Sequence, residues 1–222
     1  MSTLRSLLAL TLVFASAGAM AQRTYEVTIT NLTRGQTFTP QLVVTHDDEA
    51  ALFVLGEPAS PGLEELAEGG ATGSLTDELA AVAEDAVTID GLLEPGQTVS
   101  TQVTGRPGRH TLSVAAMLIP TNDTFVALDS VPLPRNRATA VYMVPAYDAG
   151  TEANDQDCAN IPGPRCGGAG FDPNPAEGDE GYVYISNGFH AIDGESVGEL
   201  LGPVVYDWRN PVARITVTRV RQ

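Results

Sequence analysis

Tyr25-Glu-Val-Thr-Ile-Thr30 alternates apolar and polar side chains residue by residue. A period of two is typical of a β-strand that buries one face. The same alternation recurs in residues 213–217, and Val141 and Met143 mark a further strand. Leu112, Val114, Ala116 and Leu118 line one face of another candidate strand. Valine and threonine, which favour strands, dominate these stretches. The pattern predicts a chain built mainly of half-buried strands.

Turn-forming sequences separate the predicted strands, among them Glu94-Pro-Gly-Gln97 and Asn187-Gly188. Short strands joined by turns, without helices alternating between them, favour antiparallel pairing in two packed layers. The expected fold is therefore all-β, an antiparallel β-sandwich with a short helical insertion.

The insertion is predicted from two stretches with helical spacing, residues 62–68 and 74–84. Leu75, Leu79 and Val82 recur three or four residues apart, as on one face of a helix. Ser74 followed by Asp77 predicts a capping box at the start of the second helix. We expect both helices to lie over one end of the sandwich.

The first 21 residues have the three parts of a secretory signal peptide: a positive start, a short apolar run and the small-x-small ending Ala19-Met-Ala21. This predicts a secreted or periplasmic protein with a single domain, residues 22–222, and no transmembrane segment. Export also favours one disulfide between the two cysteines, Cys158 and Cys166.

The charge balance is strongly acidic, with 28 Asp and Glu against 12 basic residues and a formal net charge of −16. Such a surface repels phosphate backbones, so nucleic acid is not an expected partner. Two acidic loops follow predicted strands. Asp123 comes after residues 112–118, and Asp148 and Glu152 come after residues 141–144.

Carboxylates from these two loops converge if both strands run to the same end of the sandwich. A hard cation such as calcium takes six to eight oxygen ligands, and Gly150 would let the chain turn between Asp148 and Glu152. The same residue types also occur as solvated turn formers, so spacing alone leaves both interpretations open.

Several longer stretches resemble one family. These are Tyr25-Glu-Val-Thr-Ile-Thr-Asn-Leu-Thr, Phe38-Thr-Pro, Leu112-Ser-Val-Ala-Ala-Met-Leu-Ile-Pro-Thr-Asn-Asp-Thr-Phe-Val-Ala-Leu128, Tyr147-Asp-Ala-Gly-Thr-Glu152 and Pro211-Val-Ala-Arg-Ile. In their order and spacing they are similar to the spondin N-terminal domain of F-spondin, mindin and related bacterial exported proteins. The resemblance covers nearly the whole chain after the predicted signal peptide.

The resemblance implies a β-sandwich that carries one bound calcium ion and mediates attachment outside the cell. Matched position by position, the family's calcium ligands fall on Asp123, Asp148 and Glu152. The chain departs from the family pattern twice. Thr124 replaces an aromatic residue, and Glu152 replaces an aspartate, which affects the geometry of the site more than its existence because glutamate also ligates calcium.

The three histidines, His46, His110 and His190, share no zinc-ligand spacing, and His46 beside three acids is expected in an exposed loop. Trp208 is either a ligand-stacking aromatic or a residue of the core edge.

The expected function is that of an exported, non-catalytic, calcium-binding module whose partner is a protein or glycan outside the cytoplasm. The alternative is a metal-assisted hydrolase that uses a His or carboxylate beside the ion. A third hypothesis, calcium-bridged phospholipid binding, requires apolar or basic loop tips that insert or pair, and the acidic loops offer little beyond Phe125.

Overall fold

The computed structural model describes residues 21–136, 138–172, 178–189 and 201–221. The predicted signal peptide lies outside these ranges except for its last residue, and His190 lies outside them as well. Within them, no helix is both long and apolar enough to span a membrane.

The described ranges contain eleven strands and three helices. In chain order they are β1 (Arg23–Asn31), β2 (Thr37–Phe38), β3 (Gln41–Asp47), α1 (Pro61–Gly69), α2 (Gly73–Leu79), β4 (Ala83–Ile89), β5 (Thr98–Gly105), β6 (His110–Ile119), β7 (Thr124–Pro132), β8 (Thr139–Val144), β9 (Ala146–Asp148), β10 (Tyr184–Ile185), α3 (Pro203–Tyr206) and β11 (Ala213–Arg219).

The strands form two sheets in which every pairing is antiparallel. The smaller sheet has the order β5-β1-β11-β8, and the larger has β10-β9-β7-β6-β3-β4 with β2 paired to β6. The predicted all-β sandwich is therefore confirmed.

One hydrophobic core fills the space between the sheets, and the alternating residues of the sequence supply it. Tyr25, Val27 and Ile29 of β1 are buried there, as are Ile215 and Val217 of β11. The strand predicted at Val141 and Met143 is confirmed as β8, but these two residues face away from the core. Its Val141 and Met143 are each 56% exposed, whereas Val144 is buried, because Val144 pairs with the inward-facing Ala213 of β11.

A second core lies on the opposite side of the larger sheet, beneath the helices. Leu63 and Leu66 of α1 and Leu75 of α2 are buried with Leu42 and Phe125 of the sheet. The helical insertion is thus confirmed, but its expected position is wrong. It covers a face of the sheet, not an end of the sandwich, since its apolar side chains meet the apolar outer face of β3, β6 and β7.

The second helix also differs from its predicted bounds and cap. α2 ends at Leu79, and the chain continues as β4 because residues 83–89 pair with β3. The N-cap is Thr72, and Ser74 lies within the helix, where its hydroxyl contacts Glu65. The capping-box prediction at Ser74 is therefore wrong. A side-chain cap is found instead on α1, where the Ser60 hydroxyl accepts a hydrogen bond from the Leu63 N–H at 3.2 Å.

Candidate metal centre

Asp123 and Asp148 lie side by side because two strands of the larger sheet meet there. β7 begins directly after Asp123, β9 ends at Asp148, and Thr124 is the antiparallel partner of Asp148. Both side chains are buried, with exposures of 0% and 1%. The structure brings these two carboxylates together, while their role as metal ligands stays a prediction.

The loop after β9 wraps around the carboxylate of Asp123. One oxygen, Oδ2, accepts hydrogen bonds from the backbone N–H groups of Thr151 at 2.8 Å and Glu152 at 3.1 Å. The N–H of Ala149 donates to the Asp123 carbonyl oxygen at 3.2 Å. All three predicted site residues therefore belong to one compact group of loops.

Gly150 makes this wrapping possible. Its N–H donates to Asp148 Oδ1 at 3.0 Å, and its φ of 67° lies in the left-handed region that glycine tolerates best. A Cβ atom at this position would lie 2.8 Å from the backbone nitrogen of Tyr182 and would overlap the carbonyl oxygen of the same residue. The turn proposed from the sequence is present, and only glycine fits it.

Glu68 is a fourth acid of the site, and it was not predicted from the sequence. It lies in the last turn of α1, is 1% exposed, and accepts a hydrogen bond from the Asp172 N–H at 3.1 Å. The Thr151 side chain hydrogen-bonds to Glu68 and also reaches Asp123 Oδ2 at 3.4 Å. One sequence signal was available, because an acid at a helix C-terminus opposes the helix dipole. We refer to Glu68, Asp123, Asp148 and Glu152 as the acidic cluster.

Burial and mutual repulsion raise the pKa values of the two aspartates. For Asp123 the main cause is desolvation, followed by the charge of Asp148, and together these outweigh the backbone hydrogen bonds that it accepts. Burial likewise raises the pKa of Asp148 to about 6, and the charge of Glu180 adds to the effect. The fold therefore disfavours the ionised form of both groups.

The two glutamates show the same effect. Burial, followed by the charges of Glu68, Asp155 and Asp172, raises the pKa of Glu152 to about 8. Burial also raises the pKa of Glu68. Among the described residues, no ion pair joins a member of the acidic cluster to an arginine or histidine.

Three oxygens of the acidic cluster are buried without a hydrogen-bond partner in the described part of the chain: Asp123 Oδ1, Glu152 Oε2 and Glu68 Oε1. A buried acceptor without a partner is unfavourable, and carboxylate oxygens are the ligands that calcium prefers. The residues present therefore fit a hard cation. As the side chains stand in the described ranges, no three His, Cys, Asp or Glu residues form a metal-holding group.

The described histidines lie far from the acidic cluster. His110 begins β6 and pairs with Asp47, whereas Asp123 follows the other end of β6, roughly 30 Å away for ten residues of strand. His46 is fully buried in β3, where its Nε2 lies 2.7 Å from Ser113 Oγ. Its expected place in an exposed loop is therefore wrong, because β3 continues through this position between β4 and β6.

Two smaller predictions have clear outcomes. Trp208 is 6% exposed and belongs to the core between the sheets, as expected for a residue of the core edge. Cys158 and Cys166 form the predicted disulfide.

An antiparallel β-sandwich with buried acids in the loops at one end thus defines the structural class. The sequence model of the Spondin_N family matches residues 17–156, more than half of the chain, and the chain belongs to this family. The match ends before the Pro211-Val-Ala-Arg-Ile stretch. No curated protein matched the chain. Family and disulfide together indicate an extracellular or secreted protein.

Proposed function

We propose that this chain is an exported, non-catalytic module that binds calcium at the acidic cluster and a protein or glycan ligand outside the cytoplasm. The single observation that carries the calcium proposal is the set of buried carboxylate oxygens without partners, at Asp123, Glu152 and Glu68 within the described ranges. Asp148 lies directly beside them.

Calcium would relieve two unfavourable features of the metal-free site. It would supply a partner for the buried oxygens and compensate the carboxylate repulsion that, after burial, raises the pKa values of Asp123 and Glu152. The side chains would have to rotate toward a common centre, since those of the described residues form no closed group as they stand. The backbone contacts from residues 149–152 to Asp123 would hold the loops in place during this change.

Two alternatives receive less support. A metal-assisted hydrolase with a histidine base needs that histidine near the ion, and His46 and His110 lie at the opposite end of β6. Phospholipid insertion requires an exposed loop tip, and Phe125 is fully buried against Phe53 and Tyr147.

Thermal unfolding of the purified protein in calcium and in chelator tests the proposal. We expect calcium to raise the midpoint, because a ligand at 100 times its Kd adds about 2.7 kcal/mol to the free energy of unfolding. Asp123→Asn and Asp148→Ala should abolish the rise. Asp90→Asn, which removes the same charge from an exposed position after β4, should leave it intact.

Calorimetry separates the possible failures. An unchanged midpoint with measurable calcium binding would show that the ion adds little to the fold. An unchanged midpoint without binding would contradict the calcium proposal and leave the acidic cluster as protonated, hydrogen-bonded loop residues.

A further inference from the structure

A cleft of about 230 Å³ opens beside Asp148. We call it the polar cleft. Its walls are the turn before β7, the segment around residue 155, strand β10 with the residues after it, and Trp208. None of the described residues that line it is basic.

The lining combines polar hydrogen-bonding groups with aromatic rings. Asn154 donates to Asp148 Oδ2 and contacts the Tyr184 hydroxyl, both at 3.0 Å, which fixes one wall. Asn187 on the facing segment is exposed. The rings of Tyr184, Phe189 and Trp208 line the cleft among these polar groups.

Two groups of the lining residues have no hydrogen-bond partner in the described part of the chain. One is a donor, the indole N–H of Trp208, whose side chain is 6% exposed, and the other is an acceptor, Oε1 of Gln156. Gln156 also has a φ of 57°, an uncommon value for a residue other than glycine. Strained backbone of this kind concentrates at binding sites.

We propose that the polar cleft binds one sugar unit of a neutral glycan. A hydroxyl group both donates and accepts, so a sugar supplies partners for an unpaired donor and an unpaired acceptor together. The carbon-bound hydrogens of a sugar ring suit the aromatic ring of the half-buried Tyr184, whereas Phe189 and Trp208, 3% and 6% exposed, add little apolar area. The cleft is smaller than the roughly 300–1,000 Å³ of sites for drug-sized ligands, which fits a single ring.

The charge of the residues that line the polar cleft restricts the class of ligand further. Asp148 and Glu180 line the cleft and make it negative. Sulfated or uronic-acid sugars are therefore repelled. An amine or guanidinium would pair with the carboxylates but would leave the indole N–H of Trp208 without an acceptor.

Trp208 is the only tryptophan of the chain, so its fluorescence reports directly on the polar cleft. The purified protein is titrated with glucose, galactose and N-acetylglucosamine, and with glucuronate and arginine amide as charged probes. We expect a saturable change in emission with at least one neutral sugar and a weaker response to both charged probes. No saturation by any neutral sugar, or saturation by arginine amide alone, would overturn the proposal.

A pair of asparagine variants locates the site. Asn187→Ala removes an exposed side chain that lines the cleft, and we expect it to weaken sugar binding by about three- to tenfold, the effect of one hydrogen bond. Asn136→Ala, at an exposed position between β7 and β8 and outside the lining, should leave the affinity unchanged. Equal affinities for the two variants would contradict the assignment.

The inference rests on the proposed binding function but not on the calcium site. The titration is therefore repeated in chelator, and calcium binding to Asn187→Ala is measured by calorimetry. Sugar binding without calcium binding would refute the calcium proposal alone. Calcium binding without sugar binding would refute only the proposal that the polar cleft binds a sugar.

Discussion

The two carboxylate oxygens of Asp123 differ in their hydrogen bonding. Oδ2 accepts two backbone hydrogen bonds, while Oδ1 is buried without a partner in the described part of the chain. The backbone contacts fix the orientation of the carboxylate, and the unpaired oxygen leaves a position for a cation. The same division holds for Glu68, whose Oε2 accepts from the Asp172 N–H while Oε1 has no partner among the described residues.

At the same scale, Gly150→Ala should destabilise the protein strongly. The new Cβ would overlap the Tyr182 carbonyl oxygen, in addition to the strain of a φ of 67°. Gly96→Ala is the matched control, because Gly96 has a φ of 75° but a Cβ added there would meet no described atom within 4 Å. We expect Gly96→Ala to lower the free energy of unfolding by about 1 kcal/mol and Gly150→Ala by clearly more, measured by urea denaturation. Equal losses would show that the contact with Tyr182 relaxes freely.

The raised pKa of Glu152 predicts an unusual pH dependence in chelator. The folded protein keeps this proton up to about pH 8, whereas the unfolded chain loses it near pH 4.5. The free energy of unfolding should therefore fall as pH rises through this window and level off above it. Burial lowers the pKa of His110, so this residue makes the free energy of unfolding rise with pH, but only below its ordinary pKa of 6.5. The measurement is therefore made above that pH.

The control for this prediction is Glu152→Gln, which should reduce the decline and leave the part that Asp123 contributes, because the pKa of Asp123 is raised as well. Calcium should reverse it, because the ion binds the ionised carboxylates and gains affinity as they lose protons. A metal-free protein whose stability is unchanged between pH 6.5 and about 8.5 would contradict the raised pKa.

At the scale of elements, α1 connects the second core to the acidic cluster. Its Leu63 and Leu66 are buried against the larger sheet, and this anchoring places Glu68 at the site. α2 supports the start of α1. Glu78 accepts from the Gly62 N–H at 2.6 Å and from the Ser60 hydroxyl at 2.7 Å, so one carboxylate ties the two helices together.

Ser60→Ala should therefore lower the free energy of unfolding by about 1 kcal/mol, the usual cost of losing an N-cap side chain. The variant leaves the Leu63 N–H without its acceptor and Glu78 without one donor. Ser100→Ala, on the exposed face of β5, is the control and should change stability by less than about 0.5 kcal/mol. Urea denaturation measures both. Equal free energies of unfolding for the two variants would show that the Ser60 cap adds little to the stability of α1.

At the scale of the whole molecule, the net charge of −16 means that cations of the chain itself are scarce. The ion pairs of the described residues involve Arg106, Arg109 and Arg209, together with His110, and none of them lies in the acidic cluster. The described part of the chain places no basic side chain beside the acidic cluster. Its buried carboxylates would therefore be neutralised by an external cation.

The disulfide contributes to global stability by restricting the unfolded chain. The pair closes a loop with a sequence separation of 8, which in the chain-entropy model adds about 2.5 kcal/mol to the free energy of unfolding. Reduction should lower the unfolding midpoint accordingly, measured by urea denaturation with and without reductant. The double variant Cys158→Ser with Cys166→Ser should match the reduced protein and show no response to reductant. An unchanged midpoint on reduction would contradict this contribution.

The amino-acid sequence determined the features that depend on local pattern. The alternation in Tyr25–Ile29 and in residues 213–217 was sufficient to predict strands and a sandwich, because a period of two specifies a face without reference to distant residues. That β6 is buried on both faces follows only from the helices that pack on the larger sheet. The positions of the two acidic loops after predicted strands indicated that Asp123 and Asp148 converge if both strands run to the same end, with Gly150 in the turn between the acids. The family resemblance added the assignment of Asp123, Asp148 and Glu152 as calcium ligands.

Only the tertiary structure decided which groups lie together across the chain. Glu68 reaches the site because α1 packs on the larger sheet, and its hydrogen bond to Asp172 joins positions 104 residues apart, which no local pattern encodes. His46 is buried, and the helices cover a face of the sheet, for the same reason. Burial and proximity between distant segments are set by packing, and these also raise the pKa values that distinguish the acidic cluster from ordinary surface acids.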